Sequence, residues 1–330
     1  MGKFAKGLSA FLIAFALTFG AYAEGRELIP GGQLVGVTVK TDGLVYVGAS
    51  DLGSSPSPAR LSGLKNGDVI TKINGIPIDG VRSLTENVQP GKENTLEVMR
   101  GDEQLSLRLT PKTDPRDGKA KIGAWVRESV AGLGTLTYID PQTGEFAALG
   151  HSISDPDANI VVPIAGGQLI DAKFTGVIRG EKGAPGELSG AFLNDGAVLG
   201  SISENAQSGI KGTFTRADIG DYVYSGPMEI AEKGDVKIGH AEILSTVSET
   251  GTDVYGIDII AIDESGSERN LLIKVTDQAL LNQTGGIVQG MSGSPIIQDG
   301  KLVGAVTHVL VNDPTRGYGI FIENMLDAAQ

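Results

Sequence analysis

The stretch GMSGSPIIQDGKLVGAV, residues 290–306, has the pattern of two short strands joined by a tight turn at Gly300. Similar short apolar runs, separated by Gly, Asp, Asn and Pro, follow one another from Ile122 onwards. The chain has 330 residues, of which 48 are glycine, and this share without a collagen period indicates many turns between strands. We therefore predict a mostly β protein of two domains, the larger being a pair of β-barrels or a sandwich.

Ser292 is the candidate nucleophile because it lies in a turn between Gly290 and Gly293. A serine nucleophile needs a sharp turn that exposes Oγ and backbone N–H groups that point at the developing oxyanion, and glycine permits both. The run resembles the Gly-Asp-Ser-Gly-Gly-Pro run of chymotrypsin-like proteases, with Met291 in place of Asp and Ser294 in place of Gly. The resemblance implies an oxyanion hole made by the N–H groups of Gly290 and Ser292. It also implies control without the zymogen switch, since the aspartate that pairs with the new N-terminus is missing.

Three histidines are available as general base, and imidazole suits this role because its pKa lies near working pH. His151 follows an apolar run and precedes a turn, far upstream of Ser292, as in a double-barrel protease that carries one residue on each barrel. His308 lies shortly after Ser292, on the strand expected to line the substrate pocket. It is either a substrate-binding residue or part of a core strand. His240 is predicted to be structural.

The acid that orients the base is harder to identify, since 40 residues are Asp or Glu. Asp155 and Asp157 are near His151 in sequence, while Asp277 shortly precedes Ser292. Asp277 also stands just before a predicted helix, residues 278–283, and aspartate is a preferred helix N-cap. Its two roles are compatible, and Asp155 is the reserve.

Residues 28–111 resemble a PDZ domain. The match rests on LKNGDVITKINGIPI, residues 64–78, which is close to a run found in bacterial PDZ modules. The resemblance implies a groove that takes an extended peptide or a C-terminus by strand addition, with residues 40–43 as a candidate carboxylate-binding loop. A PDZ fold used only for packing is the alternative. The turn-rich residues 112–121 are predicted to be a linker to a peptidase domain at 122–330.

Composition and charge disfavour several classes of function. The net charge of −13 and the pI of about 4.7 argue against a nucleic-acid partner. With no cysteine, the chain has no disulfide, thiolate metal site or cysteine nucleophile. No metal-ligand spacing and no nucleotide fingerprint occurs in the sequence, so we predict neither metal nor cofactor.

Residues 1–23 have the pattern of a signal peptide. Lys3 and Lys6 precede an apolar run from Leu8 to Gly20, and Ala21-Tyr22-Ala23 resembles a cleavage site. The run is short for a membrane span, so export with cleavage is the first hypothesis. An uncleaved signal anchor is the second, and a buried core helix is the third.

Nearly the whole chain after this segment resembles the peptidase S55 family of sporulation serine proteases. The motifs are IPGGQLVGVTV at 29–39, the PDZ run, ALGHSISD at 148–155 and the long block at 276–326. The resemblance implies a PDZ domain followed by a chymotrypsin-like double β-barrel, with Ser292, His151 and Asp277 as nucleophile, base and acid. It also implies export towards an extracytoplasmic or intermembrane space and self-cleavage. The enzyme would then cut a membrane-bound regulator of an intramembrane metalloprotease.

Two classes of function therefore compete. One is a serine endopeptidase whose PDZ domain delivers substrate or controls the active site. The other is a PDZ peptide-binding protein with a catalytically inactive protease-like domain. Reaction of Ser292 with a serine-directed probe separates them.

Overall fold

A computed structural model describes residues 25–192, 197–215 and 224–327. The predicted signal segment, residues 1–23, lies outside these ranges. Within them, no helix combines the length and the apolar character that a membrane span requires.

Most of the described chain forms β-strands. In chain order they are β1 (Glu27–Pro30), β2 (Leu34–Ala49), β3 (Val69–Ile73), β4 (Ile76–Pro77), β5 (Asn94–Arg100), β6 (Glu103–Leu109), β7 (Lys112–Thr113), β8 (Ala120–Lys121), β9 (Ala124–Ile139), β10 (Glu145–Ala148), β11 (Ser154–Asp155), β12 (Ile160–Val161), β13 (Ile164–Ile178), β14 (Glu187–Phe192), β15 (Val198–Ala206), β16 (Gly209–Phe214), β17 (Met228–Glu229), β18 (Gly239–Ser248), β19 (Gly251–Ile262), β20 (Leu271–Val275), β21 (Pro295–Gln298), β22 (Lys301–Leu310) and β23 (Asp313–Phe321).

The helices are short. They are α1 (Pro58–Leu61), α2 (Val81–Asn87), α3 (Gln278–Thr284) and α4 (Ile322–Asp327), with a 3-10 helix at Lys233–Asp235. The predicted helix at 278–283 is α3, which ends where Gly285 adopts a left-handed conformation with φ +80°.

Strands β18 to β23 close one barrel in the order β18-β19-β20-β23-β22-β21. The ring closes where β18 pairs with β21 through Ile243 and Ile296. The stretch at 290–306 supplies β21 and β22, and the turn between them holds Asp299 and Gly300 at φ +52° and +78°. The predicted strand, turn and strand are therefore present.

A second ring forms from β9, β10, β16, β15, β13 and β2. It closes because β2 pairs with β13 on one side and with β9 on the other. Val35, Val37 and Val39 of β2 alternate into its core and are buried. The two rings confirm the predicted mostly β, double-barrel fold.

The PDZ-like unit consists of β3 to β6, α1, α2 and the neighbouring ends of β2 and β9. Its own apolar core includes Leu44, Ile70 and Leu96, all fully buried. The Asn74-Gly75 turn adopts positive φ at both residues, a conformation that Asn and Gly accept in tight turns. Helix α2 covers one side of the sheet.

Two strands run through both units. In β2, residues 34–40 pair with β9 and β13 in the barrel, whereas Leu44 and Val45 pair with β3. Strand β9 likewise begins beside the PDZ-like part of β2 and ends between β1 and β10. The range predicted as PDZ domain, 28–111, thus contains a barrel strand. The range predicted as linker, 112–121, forms the β7–β8 hairpin, in which the buried Asp114 carboxylate binds Arg116 and Lys121.

Candidate active site

One cleft holds Ser292, His151 and His308. The first barrel supplies His151, shortly after β10, and the second supplies Ser292, before β21, and His308 on β22. The other side chains around the cleft are mainly apolar, and they include Val37, Val130, Leu133, Leu149, Ile153, Pro185, Ile287, Val288, Val309 and Val311. Such a lining suits the apolar side chains of an extended peptide.

The turn that carries Ser292 is fixed by backbone geometry. Gly290 and Gly293 adopt φ +96° and +97°, which glycine tolerates best. A Cβ on Gly293 would lie 2.1 Å from the carbonyl oxygen of Thr135. Only glycine therefore fits at position 293.

Strand β9 of the first barrel holds this turn in place. The Thr135 N–H donates to the Ser292 carbonyl at 2.9 Å, and Thr135 Oγ1 donates to the Gly290 carbonyl at 2.8 Å. Thr137 Oγ1 donates to the Gly293 carbonyl at 2.8 Å. Sequence analysis missed both threonines, since they contact the turn only through the packing of one barrel against the other.

The N–H groups of Gly290 and Ser292 remain free for another acceptor. Each of the nearby N–H groups of Met291, Gly293 and Ser294 donates to a backbone carbonyl, at 2.7–3.1 Å. In the described part of the chain, by contrast, the Gly290 and Ser292 N–H groups donate no hydrogen bond. These are the two donors that the sequence suggested for an oxyanion hole.

Ser292 Oγ donates to the carbonyl oxygen of Thr307 at 2.6 Å. His151 Nδ1 lies 2.9 Å from the carbonyl oxygen of Ser152. Because a carbonyl only accepts, Nδ1 carries the proton in this contact and Nε2 is left as an acceptor. The serine hydroxyl is therefore bound to a backbone carbonyl, and Nε2 of His151 is able to accept a proton.

Burial lowers the pKa of His151 below its usual 6.5, although the hydrogen bond to Ser152 and the charge of Glu268 oppose this shift. Desolvation disfavours a charged imidazole. His151 is consequently in its neutral, basic form at neutral pH.

His308 stacks against His151, with ring centroids 4.8 Å apart and an angle of 37° between the planes. Its Nδ1 atom is buried, and among the described residues it has no hydrogen-bond partner. Burial, followed by the nearby His151 and Arg269, lowers the pKa of His308 to about 4. His308 thus lines the cleft as a neutral ring.

The structure does not bring Asp277 into contact with His151. Asp277 Oδ1 accepts the N–H of Leu280 at 2.9 Å and so caps α3, the second of its two predicted roles. The reserve acid, Asp155, is buried and accepts the N–H groups of Asp157 and Ala158. In this arrangement the Ser152 carbonyl takes the position that a triad acid would fill.

His240 lies apart from the cleft, on β18, where its exposed ring is 3.9 Å from Asp258. Among the described residues, no group of three or more His, Asp or Glu side chains has the spacing of a metal site.

A second groove lies in the PDZ-like unit, between α2 and the start of β9. Val81, Leu84 and Val88 line it on the helix side, and residues 122–126 line the strand side. No described strand pairs with the outer edge of Ala124–Val126, so this edge is free for strand addition. The candidate carboxylate loop 40–43 is elsewhere, since Lys40 and Thr41 pair with β9 and β13.

Comparison with known proteins matches both units. The SpoIVB peptidase S55 family model matches residues 118–326, and a PDZ domain model matches residues 35–110. Zinc metalloprotease RasP of Shouchella clausii (strain KSM-K16) is 28% identical over 160 residues, which cover 47% of this chain and 34% of RasP. A probable periplasmic serine endoprotease, DegP-like, of Brucella suis biovar 1 (strain 1330) is 30% identical over 110 residues, which cover 31% of this chain and 21% of that protein. The chain thus spans about a third or less of the length of these relatives.

Solved structures are also similar. The active form of a protease from M. tuberculosis has a TM-score of 0.37 at 13% identity, covering 60% of this chain and 73% of that chain. The PDZ domain of an SdrC-like protein from Listeria monocytogenes has a TM-score of 0.23 at 20% identity, covering 26% of this chain and 87% of that chain. Since the S55 model matches more than half of the residues, the chain belongs to the SpoIVB peptidase S55 family and carries a PDZ domain joined to its double-barrel peptidase domain.

Proposed function

We propose that the protein is a serine endopeptidase in which Ser292 is the nucleophile and His151 is the general base. One observation carries the proposal: Ser292 and a neutral His151 line the same cleft, beside two N–H groups that donate to no described acceptor. Those N–H groups, of Gly290 and Ser292 itself, form the oxyanion hole.

The first chemical step begins when the Ser292 side chain turns from the Thr307 carbonyl to His151 Nε2. As Oγ bonds to the carbonyl carbon of the substrate, its proton moves to Nε2, and the C=O π electrons move to the oxygen. The N–H groups of Gly290 and Ser292 stabilise that oxyanion. Collapse of the intermediate breaks the C–N bond, and the leaving amine takes the proton from His151.

Deacylation repeats these transfers with water as the nucleophile. His151 removes a proton from water, the acyl–Oγ bond breaks, and Ser292 recovers its proton. In this scheme the Ser152 carbonyl accepts the Nδ1–H of His151 in every step. Asp277 as orienting acid is a separate hypothesis, which rests on the family resemblance. His308 is proposed to contact the substrate beside His151.

The PDZ-like groove is proposed to bind an extended or C-terminal peptide alongside Ala124–Val126. The free strand edge and the apolar face of α2 support this proposal. Lys119 and Lys121 are among the residues that line the groove. The Lys121 ammonium is paired with Asp114 and Asp117, so Lys119 is the residue proposed to provide positive charge near a peptide carboxylate.

The biological setting is proposed from the family resemblance. The protein would be exported, would cleave itself, and would then cut a membrane-associated regulatory protein in a sporulation signalling cascade. The signal-like residues 1–23 support the export step.

The alternative is a peptide-binding protein with an inactive protease-like domain. Two contacts favour it: Ser292 Oγ donates to a backbone carbonyl instead of to His151, and none of the described acids hydrogen-bonds to His151.

A fluorophosphonate probe separates the two functions. We expect wild-type protein to gain the mass of the phosphonyl group at Ser292 and to cleave a peptide library, whereas Ser292→Ala does neither. The N-termini of the same two proteins, determined by mass spectrometry, test self-cleavage, because only the wild type should be shortened. Folded wild-type protein without a label at Ser292 would leave the binding protein as the better hypothesis.

A further inference from the structure

Residues 152–162, here called the His151 hairpin, connect the base to the PDZ-like unit. Strands β11 and β12 form the hairpin. At its base, the Asn205 side chain accepts the Ile153 N–H at 2.8 Å and donates to the carbonyls of Ile153 and Val162, both at 2.9 Å. At its tip, Ala158 packs against Val45 and Val69. The hairpin that begins beside His151 therefore ends on the PDZ-like sheet.

Arg127 of β9 makes the charged contact to this hairpin. Its Nε lies 2.5 Å from Asp155 Oδ2, an ion pair without hydrogen-bond geometry, and its Nη2 contacts the Asp157 carboxylate. The other oxygen of Asp155, Oδ1, accepts the N–H groups of Asp157 and Ala158 at 2.9 and 2.8 Å. The Asp155 side chain is only 2% exposed. A buried carboxylate is costly without a cation, so Arg127 is the group that allows Asp155 to organise the hairpin.

Glu128, the residue after Arg127, makes its contact on the opposite face of β9. The Glu128 carboxylate accepts the N–H of Val81, the first residue of α2, at 2.7 Å. Successive side chains of a strand point to opposite faces. Strand β9 thus carries, at neighbouring positions, one contact to the helix of the peptide groove and one to the His151 hairpin.

We propose that Arg127 is a positioning residue for the catalytic base. Arg127 acts through Asp155 and so holds the His151 hairpin in its active arrangement. The proposal rests on the proposed role of His151. Without Arg127, the unpaired Asp155 carboxylate turns towards solvent, the hairpin shifts, and the His151 ring moves relative to Ser292. Arg127 directly follows the groove-lining Val126, so the peptide groove and the charged contact to the His151 hairpin share one strand.

The rate constant for phosphonylation of Ser292 tests the proposal. This reaction depends on proton removal from Ser292 by His151 and does not require turnover of a substrate. Misplacing a catalytic group by about 1 Å costs roughly a hundredfold in rate. We expect Arg127→Met to lower the maximal labelling rate about 10- to 100-fold, with little change in the probe concentration that gives half of that rate. Arg127→Lys keeps the positive charge but cannot contact both carboxylates in the same way. This variant should therefore recover part of the lost labelling rate.

Arg108→Met is the matched control. Arg108 is 72% exposed, lies on β6 at the edge of the PDZ-like sheet, and has its ion-pair partner, Glu93, at 3.6 Å. Ser292 of the Arg108→Met variant should be labelled at the wild-type rate. In Arg127→Met, the added change Asp155→Asn should cost less than it does in the wild type, because the two side chains act as one pair. An Arg127→Met protein that is folded by circular dichroism and labels within twofold of wild type would overturn the proposal.

Two further outcomes keep this test separate from that of the enzyme itself. If Arg127→Met does not fold, Arg127→Lys decides, and a wild-type labelling rate in that variant counts against the proposal. If the wild type itself is not labelled, the peptidase function fails. The imidazole ¹⁵N resonances of His151 in wild type and Arg127→Lys then show whether the ring depends on Arg127. Identical resonances would refute the positioning role.

Discussion

At the residue scale, the two roles predicted for Asp277, helix cap and triad acid, can be separated by replacing one side-chain atom. Asparagine caps helices about as well as aspartate, whereas alanine does not. Since Asp277 contacts the N-terminus of α3 and not His151, we expect Asp277→Asn to label and cleave at the wild-type rate. Asp277→Ala should lose about 0.5–2 kcal/mol in the free energy of unfolding. Denaturant melts and labelling rates on both variants check this.

A different result would restore Asp277 as the acid of the triad. Loss of an orienting carboxylate lowers kcat by about 10⁴-fold in the best-studied triad. A fall of that size in Asp277→Asn, with an unchanged melt, would mean that the residue reaches His151 in the active state.

The two cleft histidines also predict how stability depends on pH. Both are held neutral by burial, with lowered pKa values, to about 4 for His308. In the unfolded chain each binds a proton near pH 6.5. The unfolded state therefore binds more protons between pH 6.5 and about 4, and stability must fall as pH decreases through this window. Carboxylates with lowered pKa values, such as Asp114 and Asp140, lose their stabilising contribution only from about pH 5 downwards, where the unfolded carboxylates begin to bind protons.

Thermal melts between pH 7 and pH 4.5 measure this effect. We expect His308→Asn to make the melting temperature less dependent on pH, whereas His240→Asn, at an exposed position outside the cleft, should leave the dependence unchanged. Equal slopes for wild type and His308→Asn would show that His308 is not held neutral.

At the scale of elements, the features that could be predicted are those that depend on residues close together in the sequence. The turn at Ser292, the Asn74-Gly75 turn and helix α3 all follow from residue types within a few positions. The pairing of β2 with three strands could not be predicted in this way, because its partners in β9 and β13 are distant from it in the sequence. Thr135 and Thr137 were missed for the same reason, since their partners are more than 150 positions away.

The orienting contact of His151 shows a further limit. A sequence directs attention to carboxylates because only side chains can be read from it, whereas the group that binds Nδ1 is the backbone carbonyl of Ser152. Every residue carries such a carbonyl, so only the fold can identify which one is used.

At the scale of the whole molecule, the shared strands predict which shortened chains can fold. The family match at 118–326 excludes β2, yet β2 closes the first barrel and buries Val35, Val37 and Val39 there. Burying each such side chain contributes about 1.5–3 kcal/mol, against a net stability of only 5–15 kcal/mol for a typical domain. We therefore expect residues 118–327 alone to show no cooperative thermal transition.

The matched comparison removes the PDZ-like unit and keeps β2. Lys40 and Ser129 are register partners in β2 and β9, so Asn-Gly in place of residues 41–128 would join them by a two-residue hairpin turn. Both barrels then retain all of their strands, and this chain, from residue 25 to 327, should melt cooperatively by circular dichroism. It lacks Arg127, so its Ser292 should label slowly even when folded. If residues 118–327 melted as cooperatively as the longer chain, the first barrel would not need β2, and the peptidase domain would be separable from the PDZ domain after all.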